Sequence, residues 1–287
     1  MGKRDIQLRI KSVKETRKIT RAMKLISAAK FRKAKVMLDN VRPFYEKIQL
    51  TMKDILKHSG EVTSHYFENQ HETKEERKKT LIVITGDKEL CGSYNHNVIK
   101  TAEGFIDNNT GKLMIIGEVG RSYFKYKKYD VDLNFNYNVQ DPTTEDADEI
   151  SDLLINMYNK GLTDDIFVIF TEMKGLSQVV RTVKILPLEQ RNFGDIAKED
   201  NKVLSDMIYE PSPIEVFDLL VPHYIKGLIF SMMIESFASE QFSRMVAMDG
   251  ATSNADKMIG KLVLKYNRIR QASITQEISE IIAGSSV

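Results

Sequence analysis

Residues 10–34 read IKSVKETRKITRAMKLISAAKFRKA, and this stretch decides the fold. From Asp5 to about Lys57 the chain has no glycine, and Pro43 is the only proline. Apolar residues recur at steps of mostly three and four, the pattern of a helix with one apolar stripe. The stripe consists of Ile6, Ile10, Val13, Ile19, Met23, Ile26, Ala34, Met37, Val41, Phe44, Ile48, Met52 and Ile55. The predicted helix is about 80 Å long, longer than an ordinary globular domain buries along one stripe.

The C-terminal part of the chain predicts a second long helix. Ser212-Pro213-Ile214-Glu215 has the residues of a helix start: Ser as the cap, Pro at the first helical position, and Glu reaching back. Apolar residues then recur at helical spacing over about 70 residues, with Pro222, Gly250 and Gly260 as weak points. Because each helix must bury a stripe, we expect the two to pair as an antiparallel coiled coil.

The pairing gives a reason for a small, nearly uncharged patch inside a basic helix. Ser27, Ala28 and Ala29 are small enough to let another helix or a loop approach the backbone closely. The alternative is that they are only good helix formers on a solvated face.

The middle of the chain alternates predicted strands and helices. Four short apolar runs predict strands, at Leu81–Thr85, Leu113–Ile116, Ile166–Phe170 and Val179–Leu186. Helical stretches fall at about 95–107, 121–129 and 145–160, the last after a cap at Thr143. This order predicts a three-layer α/β domain with a mainly parallel sheet.

These patterns divide the chain into four parts. Residues 1–57 and 212–287 form the discontinuous coiled-coil shaft, and residues 80–195 form the α/β domain. Residues 58–79 and 196–211 are the linkers. No apolar run approaches the 18–20 residues of a membrane span, so we expect no transmembrane segment.

The turn after the first strand, the single cysteine and the histidines show no recognised catalytic or metal-binding motif. The turn after the first strand, Gly86 to Ser93, has five residues between its glycines and no Lys after them, so it is neither a Walker A loop nor GxGxxG. Asp87 and Glu89 form only a carboxylate pair on a turn, and no motif joins Cys91 to a histidine. Three of the five histidines lie in the first linker without zinc-site spacing: His58, His65 and His71. We therefore expect no catalytic, cofactor-binding or metal site.

Charge is distributed unevenly, which leaves three classes of function open. Residues 1–57 hold 17 Lys and Arg against 5 Asp and Glu, whereas the rest holds 25 against 35. A basic arm suggests an anionic partner. The chain is then a basic coiled-coil nucleic-acid binder, an α/β enzyme with added helices, or a scaffold whose two-helix rod inserts into a partner assembly.

Three segments carry a family resemblance along the whole chain. The N-terminal segment quoted above and SRMVAMDGATSNADKMIGKLVLKYNRIRQASITQEISEIIAG at 243–284 resemble the two ends of the gamma subunit of F-type ATP synthase. LIVITGDKELCGSYN at 81–95 is similar to that family's strand-turn segment. The turn departs from the family's common Asp-Arg-Gly-Leu-Cys-Gly-Gly: here it reads Asp87-Lys88-Glu89-Leu90-Cys91-Gly92-Ser93.

The resemblance implies a function for the rod. It implies a central-stalk rotor that couples ion flow through the membrane c-ring to ATP synthesis or hydrolysis on the beta subunits. The implied partners are three alpha and three beta subunits, the epsilon subunit and the c-ring, without nucleic acid. The chain itself would be peripheral, on the cytoplasmic face of the plasma membrane.

The resemblance also places interface residues. The positions where the shaft meets beta or its own paired helix are Met23, Lys24, Ser27, Ala28, Arg244, Gln271 and Thr275. The turn of the α/β domain contributes Asp87, Cys91 and Gly92.

Overall fold

A computed structural model describes residues 2–58, 64–67, 77–106, 110–137, 139–175, 177–189, 193 and 209–285. The helices are α1 (Lys3–His58), α2 (Tyr94–Phe105), α3 (Glu118–Tyr126), α4 (Thr144–Asn159) and α5 (Pro213–Ser285). The strands are β1 (Lys79–Ile84), β2 (Thr110–Ile116), β3 (Asp165–Lys174) and β4 (Ser177–Leu186). Most of the two predicted linkers, 58–79 and 196–211, lies outside the described residues.

The sheet has the strand order β2-β1-β3-β4. β1 runs parallel to β2 and to β3, and β3 pairs antiparallel with β4. The four predicted strands and the mainly parallel sheet are therefore confirmed. Parallel strands need long crossovers, which α2 supplies between β1 and β2, and α3 with α4 between β2 and β3.

Both faces of the sheet are covered by helices, as the three-layer prediction requires. Leu81 and Val83 of β1 point into a core built with α2 and α3. Ile82 and Ile84 of the same strand point into the opposite core, which contains α4 and parts of α1 and α5. The alternation follows from the two-residue period of a strand, because successive side chains leave opposite faces.

The predicted helix starts are confirmed in detail. Thr143 Oγ1 accepts a hydrogen bond from the Asp146 N–H at 3.1 Å. Ser212 Oγ accepts from the Glu215 N–H at 3.3 Å and donates to the Glu215 carboxylate at 3.0 Å. These contacts satisfy backbone donors that the first turn of a helix leaves without partners.

The two long helices continue through their predicted weak points. α1 contains Pro43, and α5 contains Pro222, Gly250 and Gly260. Tertiary packing overrides the local propensity of single residues in helices of this length.

α5 bears on the expectation of no transmembrane segment, which stays a prediction. It contains an 18-residue window that is long and apolar enough to cross a membrane, and half of that window is buried within the protein. The core helix of a soluble protein passes the same test, so the window is weak evidence for a span.

The chain divides into two compact units. One contains Met1–Ala29 and Phe242–Val287, that is, only segments of α1 and α5. The other contains Lys30–Gln241, with the sheet, α2, α3, α4 and the remaining parts of the two long helices.

Candidate functional site

Side-chain contacts between α1 and α5 in the helical unit fix the direction of pairing. The contacts are Gln7–Tyr266 (2.8 Å), Arg17–Asp256 (2.7 Å), Thr20–Thr252 (2.8 Å) and Lys24–Asp249 (2.6 Å). Each step along α1 is matched by an almost equal step back along α5, so the helices are antiparallel as predicted. The steps of three and four on both helices keep the partners on facing sides.

The charged contacts fix the register of the helix pair but contribute little to its stability. The side chains of Arg17 and Asp256 are 39% and 55% exposed, and those of Lys24 and Asp249 are 39% and 62% exposed. Ion pairs at such exposure contribute roughly 0.2–1 kcal/mol each. The sequence contains a matching signal: Arg17, Thr20 and Lys24 are spaced by three and then four residues, as are Asp249, Thr252 and Asp256.

Small residues lie at the pairing face of α1. Ser27 and Thr20 are buried, Ala28 is half-buried and Ala29 is exposed. Ser27 is therefore covered by the rest of the protein, whereas Ala29 lies on a solvated face.

The predicted apolar stripe is wrong at three positions, Ile19, Ile26 and Phe44. These side chains are 60%, 58% and 63% exposed, although we expected them to be buried. The buried or half-buried seam contains Ile6, Val13, Thr20 and Ser27, which recur every seven residues. Steps of three and four fit both faces of the helix, and only contact with α5 selects between them.

Apolar side chains remain on the outside of the helix pair. Leu8, Ile19 and Ile26 are separated by 11 and 7 residues, three and two turns at about 3.6 residues per turn, so they form one outward line. On the unit's α5 segment the exposed large apolar residues are Val246, Met258, Val263, Leu264, Ile274, Ile278, Ile281 and Ile282. Large exposed apolar patches mark interaction sites, so these side chains are a candidate interaction surface.

The end of α5 extends beyond the start of α1 in this register. If the register continues, Lys3 lies opposite Arg270, so residues 271–285 extend past the start of α1. Gln271 and Thr275 are exposed on this extension, and Thr275 Oγ1 donates to the Gln271 carbonyl at 3.0 Å. Their predicted contacts with a partner stay a prediction.

The other predicted shaft residues lie on the same unit. Lys24 contacts Asp249, Met23 is half-buried beside it, and Arg244 is buried on α5. Their assignment to an interface with beta stays a prediction.

The predicted turn of the α/β domain is held from several sides. Asp87 Oδ1 accepts from the Glu118 N–H at 3.3 Å, which ties the turn to the start of α3. Cys91 is buried, and its Sγ accepts from Asn95 Nδ2 at 3.3 Å. Gly92 has φ +63°, a conformation that favours glycine. These contacts describe a packed strand-to-helix turn.

A cleft of about 670 Å³ borders this turn between α2 and α3. Cys91, Asn95, Ile99, Val119 and Tyr123 are among the residues that line it. Tyr123 donates to Glu103 at 2.9 Å, and this hydrogen bond raises the pKa of Tyr123. Among the described residues, no group of three or more His, Cys, Asp or Glu side chains is placed to hold a metal ion.

Comparison with known sequences assigns the chain to a protein family. A model of the ATP synthase family matches residues 2–287. The chain is 60% identical over 295 residues to the ATP synthase gamma chain of Caldanaerobacter subterraneus subsp. tengcongensis, covering 100% of both. It is 47% identical to that of Ruminiclostridium cellulolyticum, covering 99% of this chain and 97% of the relative. It is 36% identical to the sodium ion specific ATP synthase gamma chain of Acetobacterium woodii, covering 98% and 97%.

Solved structures give the same placement. The central stalk and c-ring structure of Tetrahymena thermophila mitochondrial ATP synthase contains a chain with a TM-score of 0.58 and 25% identity, covering 81% of this chain and 99% of that one. A chain of the Euglena gracilis mitochondrial enzyme has a TM-score of 0.66 and covers 99% and 93%, and at 14% identity it supports the fold alone. With a family match along its whole length and close relatives over both full lengths, the chain belongs to the family of ATP synthase gamma chains.

Proposed function

We propose that this chain is the rotor of the central stalk of an F-type ATP synthase. In this role it couples ion flow through the membrane c-ring to ATP synthesis or hydrolysis on the beta subunits. The observation that carries the proposal is the apolar surface that both helices still expose after they have paired. A free rod has no use for such a surface, whereas a rod inside a ring of subunits buries it.

The proposed assembly has specific partners. Three alpha and three beta subunits surround the shaft (1–57 and 212–287), and epsilon and the c-ring bind the α/β domain (80–195), with 58–79 and 196–211 as linkers. The chain is peripheral to the cytoplasmic face of the plasma membrane. In this assembly ATP chemistry takes place on beta, and the chain needs no catalytic site of its own.

Asymmetry of the shaft supplies the mechanism. α1 and α5 present different side chains around the rod, so each orientation favours a different conformation in each of the three beta subunits. A partner that binds two states unequally shifts their populations, and the effect is reciprocal. Rotation therefore changes nucleotide affinity, and nucleotide binding or hydrolysis drives rotation.

Charge supports the same arrangement. Lys3, Arg4, Lys11, Lys14 and Arg21 are exposed on α1. These cations favour acidic surfaces on the surrounding subunits, with partial screening by salt.

Native mass spectrometry of the chain purified gently from its own cells tests the proposal. We expect one copy with three copies each of two larger nucleotide-carrying subunits. A chain that is free, or that carries nucleic acid, would refute the rotor and favour a nucleic-acid-binding or scaffold protein.

Two variants test whether the exposed apolar surface of the helix pair is buried in the complex. Changing both Ile19 and Ile26 to Ser removes outward apolar contact and leaves the seam with α5 intact, so less of the chain should be recovered in the complex. Tyr126→Ser is the control, because Tyr126 is 84% exposed but lies on α3 in the other unit. Equal recovery of the two variants would contradict the proposed burial of this line.

A further inference from the structure

α5 carries a short buried polar segment, which we define as Ser236, Ser239, Glu240 and Gln241. The first two are completely buried, and Glu240 and Gln241 are each only 2% exposed. Glutamate is almost never buried to this degree without compensation, because leaving water penalises its charge. The rotor mechanism described above gives this segment no role.

The segment is hydrogen-bonded to the middle of the sheet. The Thr171 N–H donates to Ser236 Oγ at 3.3 Å, and Ser239 Oγ donates to the Thr171 carbonyl at 3.0 Å. Gln178 Nε2 donates to the Ser239 carbonyl at 2.6 Å. One residue of β3 is therefore bracketed through both of its backbone groups by two serines of α5.

Glu240 packs directly against the turn that follows β1. A Cβ placed on Gly86 would lie 3.0 Å from Glu240 Cδ, 3.1 Å from Glu240 Oε1 and 3.3 Å from Asn95 Oδ1. Gly86 is not among the glycines with positive φ. Glycine is therefore favoured here by the tight space and not by backbone conformation.

The same turn is fixed to two other helices. The Gly86 N–H donates to Asn95 Oδ1 of α2 at 2.8 Å, and the Gly86 carbonyl accepts from the Val119 N–H of α3 at 3.1 Å. With Glu240 on α5, the turn touches three helices through one glycine. Tyr94 belongs to this cluster, and burial, together with the negative charge of Glu240, raises its pKa.

The position of the cluster in the sheet is informative. Val83 of β1 is level with Ile169 of β3, so Thr171 lies level with the turn that starts after β1. The connection that follows β1 leads to β2 on one side of β1, and the connection that follows β2 leads to β3 on the other side of β1. α/β proteins bind ligands in the crevice at such a switch point. Here the chain's own helix occupies this position.

We propose that Glu240 is a positioning residue that locks α5 to the carboxyl edge of the sheet, so that helix and α/β domain rotate as one body. The inference rests on the proposed rotor function. Torque that enters through the α/β domain has to reach the shaft helix without slip. A buried, hydrogen-bonded contact on three helices deforms little, because each displacement breaks several interactions in a medium of low dielectric.

The test measures ions pumped per ATP hydrolysed by the whole enzyme in membrane vesicles. Glu240→Ala removes the side chain that locks the turn. Gly86→Ala leaves Glu240 in place but adds a methyl group on the turn that displaces the Glu240 carboxylate. We expect a severalfold lower pumping ratio in each variant, and a smaller loss in the double variant, because the new methyl group enters the space that Glu240 leaves. Such non-additivity is the signature of direct contact.

Two controls separate coupling from stability. Gly104→Ala adds a methyl group in α2 where nothing lies within 4 Å, and should leave the ratio unchanged. Glu240→Gln keeps the size of the side chain and should retain the wild-type ratio. A merely structural role would lower assembly, hydrolysis and pumping together and would leave the ratio unchanged.

The outcomes are distinguishable. An unchanged ratio in assembled Glu240→Ala and Gly86→Ala enzymes overturns the proposal while the rotor function stands. If Glu240→Ala does not assemble, Glu240→Asp with and without Gly86→Ala gives the same comparison. ATP-driven pumping that persists in vesicles whose enzyme lacks this chain would refute the rotor function itself.

Discussion

Gly227 is the position where adding one methyl group should most clearly report the packing of the long helices. It lies in α5, and a Cβ placed on it would be 2.6 Å from Cδ2 of Tyr45. That ring stacks on Tyr224, with centroids 5.4 Å apart and an angle of 12° between the planes. The half-buried Tyr45 ring therefore cannot move away without disturbing its stacking on the buried ring of Tyr224.

The expected magnitude is the difference between two effects. In a helix interior Gly→Ala is favourable by about 1 kcal/mol. Overpacking a filled core costs about 1–3 kcal/mol. Gly227→Ala should therefore lose the propensity gain and lower the free energy of unfolding by up to about 2 kcal/mol.

Gly260→Ala is the matched control in the same helix. No atom lies within 4 Å of a Cβ placed there, so the variant should gain the full propensity term of about 1 kcal/mol. Thermal unfolding of the purified chain, followed by circular dichroism, should show the two melting temperatures moving in opposite directions, by about 2–4 °C per kcal/mol. Equal shifts would refute the contact between Gly227 and Tyr45.

Three further changes test other parts of the molecule. Ser27→Leu should overpack the pairing face and cost about 1–3 kcal/mol in a denaturant titration, whereas Ala29→Leu, on an exposed face, should be nearly neutral; equal costs would contradict the seam. Met23→Lys places a charge among existing cations and should lower ion pumping per ATP, and an unchanged ratio would remove Met23 from the coupling surface. Burial, and then the charge of Glu172, raises the pKa of Glu235 to about 7. The unfolded chain releases this proton at lower pH than the folded chain. The free energy of unfolding should therefore fall as the pH rises from about 4.5 to about 7, and Glu235→Gln should flatten that part of a pH titration of the melting temperature.

The sequence predicted the kind and order of the elements well, because the relevant signals are local. Apolar runs of four to eight residues identify strands, and recurrence at three and four identifies helices. The caps at Thr143 and Ser212 were readable for the same reason, since each hydroxyl contacts a backbone N–H only three residues away. The candidate shaft residues came from family resemblance, and periodicity alone would not have selected them.

The sequence was wrong or silent where the answer depends on a distant partner. It assigned Ile19 and Ile26 to the buried stripe, whereas Thr20 and Ser27 occupy it. It gave no indication that Glu240 is buried, because a glutamate at helical spacing has the pattern of a solvated residue. The equal spacing of polar partners on α1 and α5 was present in the sequence, but it becomes a signal only after antiparallel pairing is assumed.

The sequence by itself determined that two long helices flank a mainly parallel α/β domain, because period and length are properties of contiguous residues. Only the tertiary structure decided which face of α1 meets α5, and that a side chain at Gly86 or Gly227 would crowd its neighbours. The physical reason is that these choices depend on distances of about 3 Å between atoms more than a hundred residues apart in the chain. No local pattern encodes such distances, since steric exclusion acts only once the chain has folded.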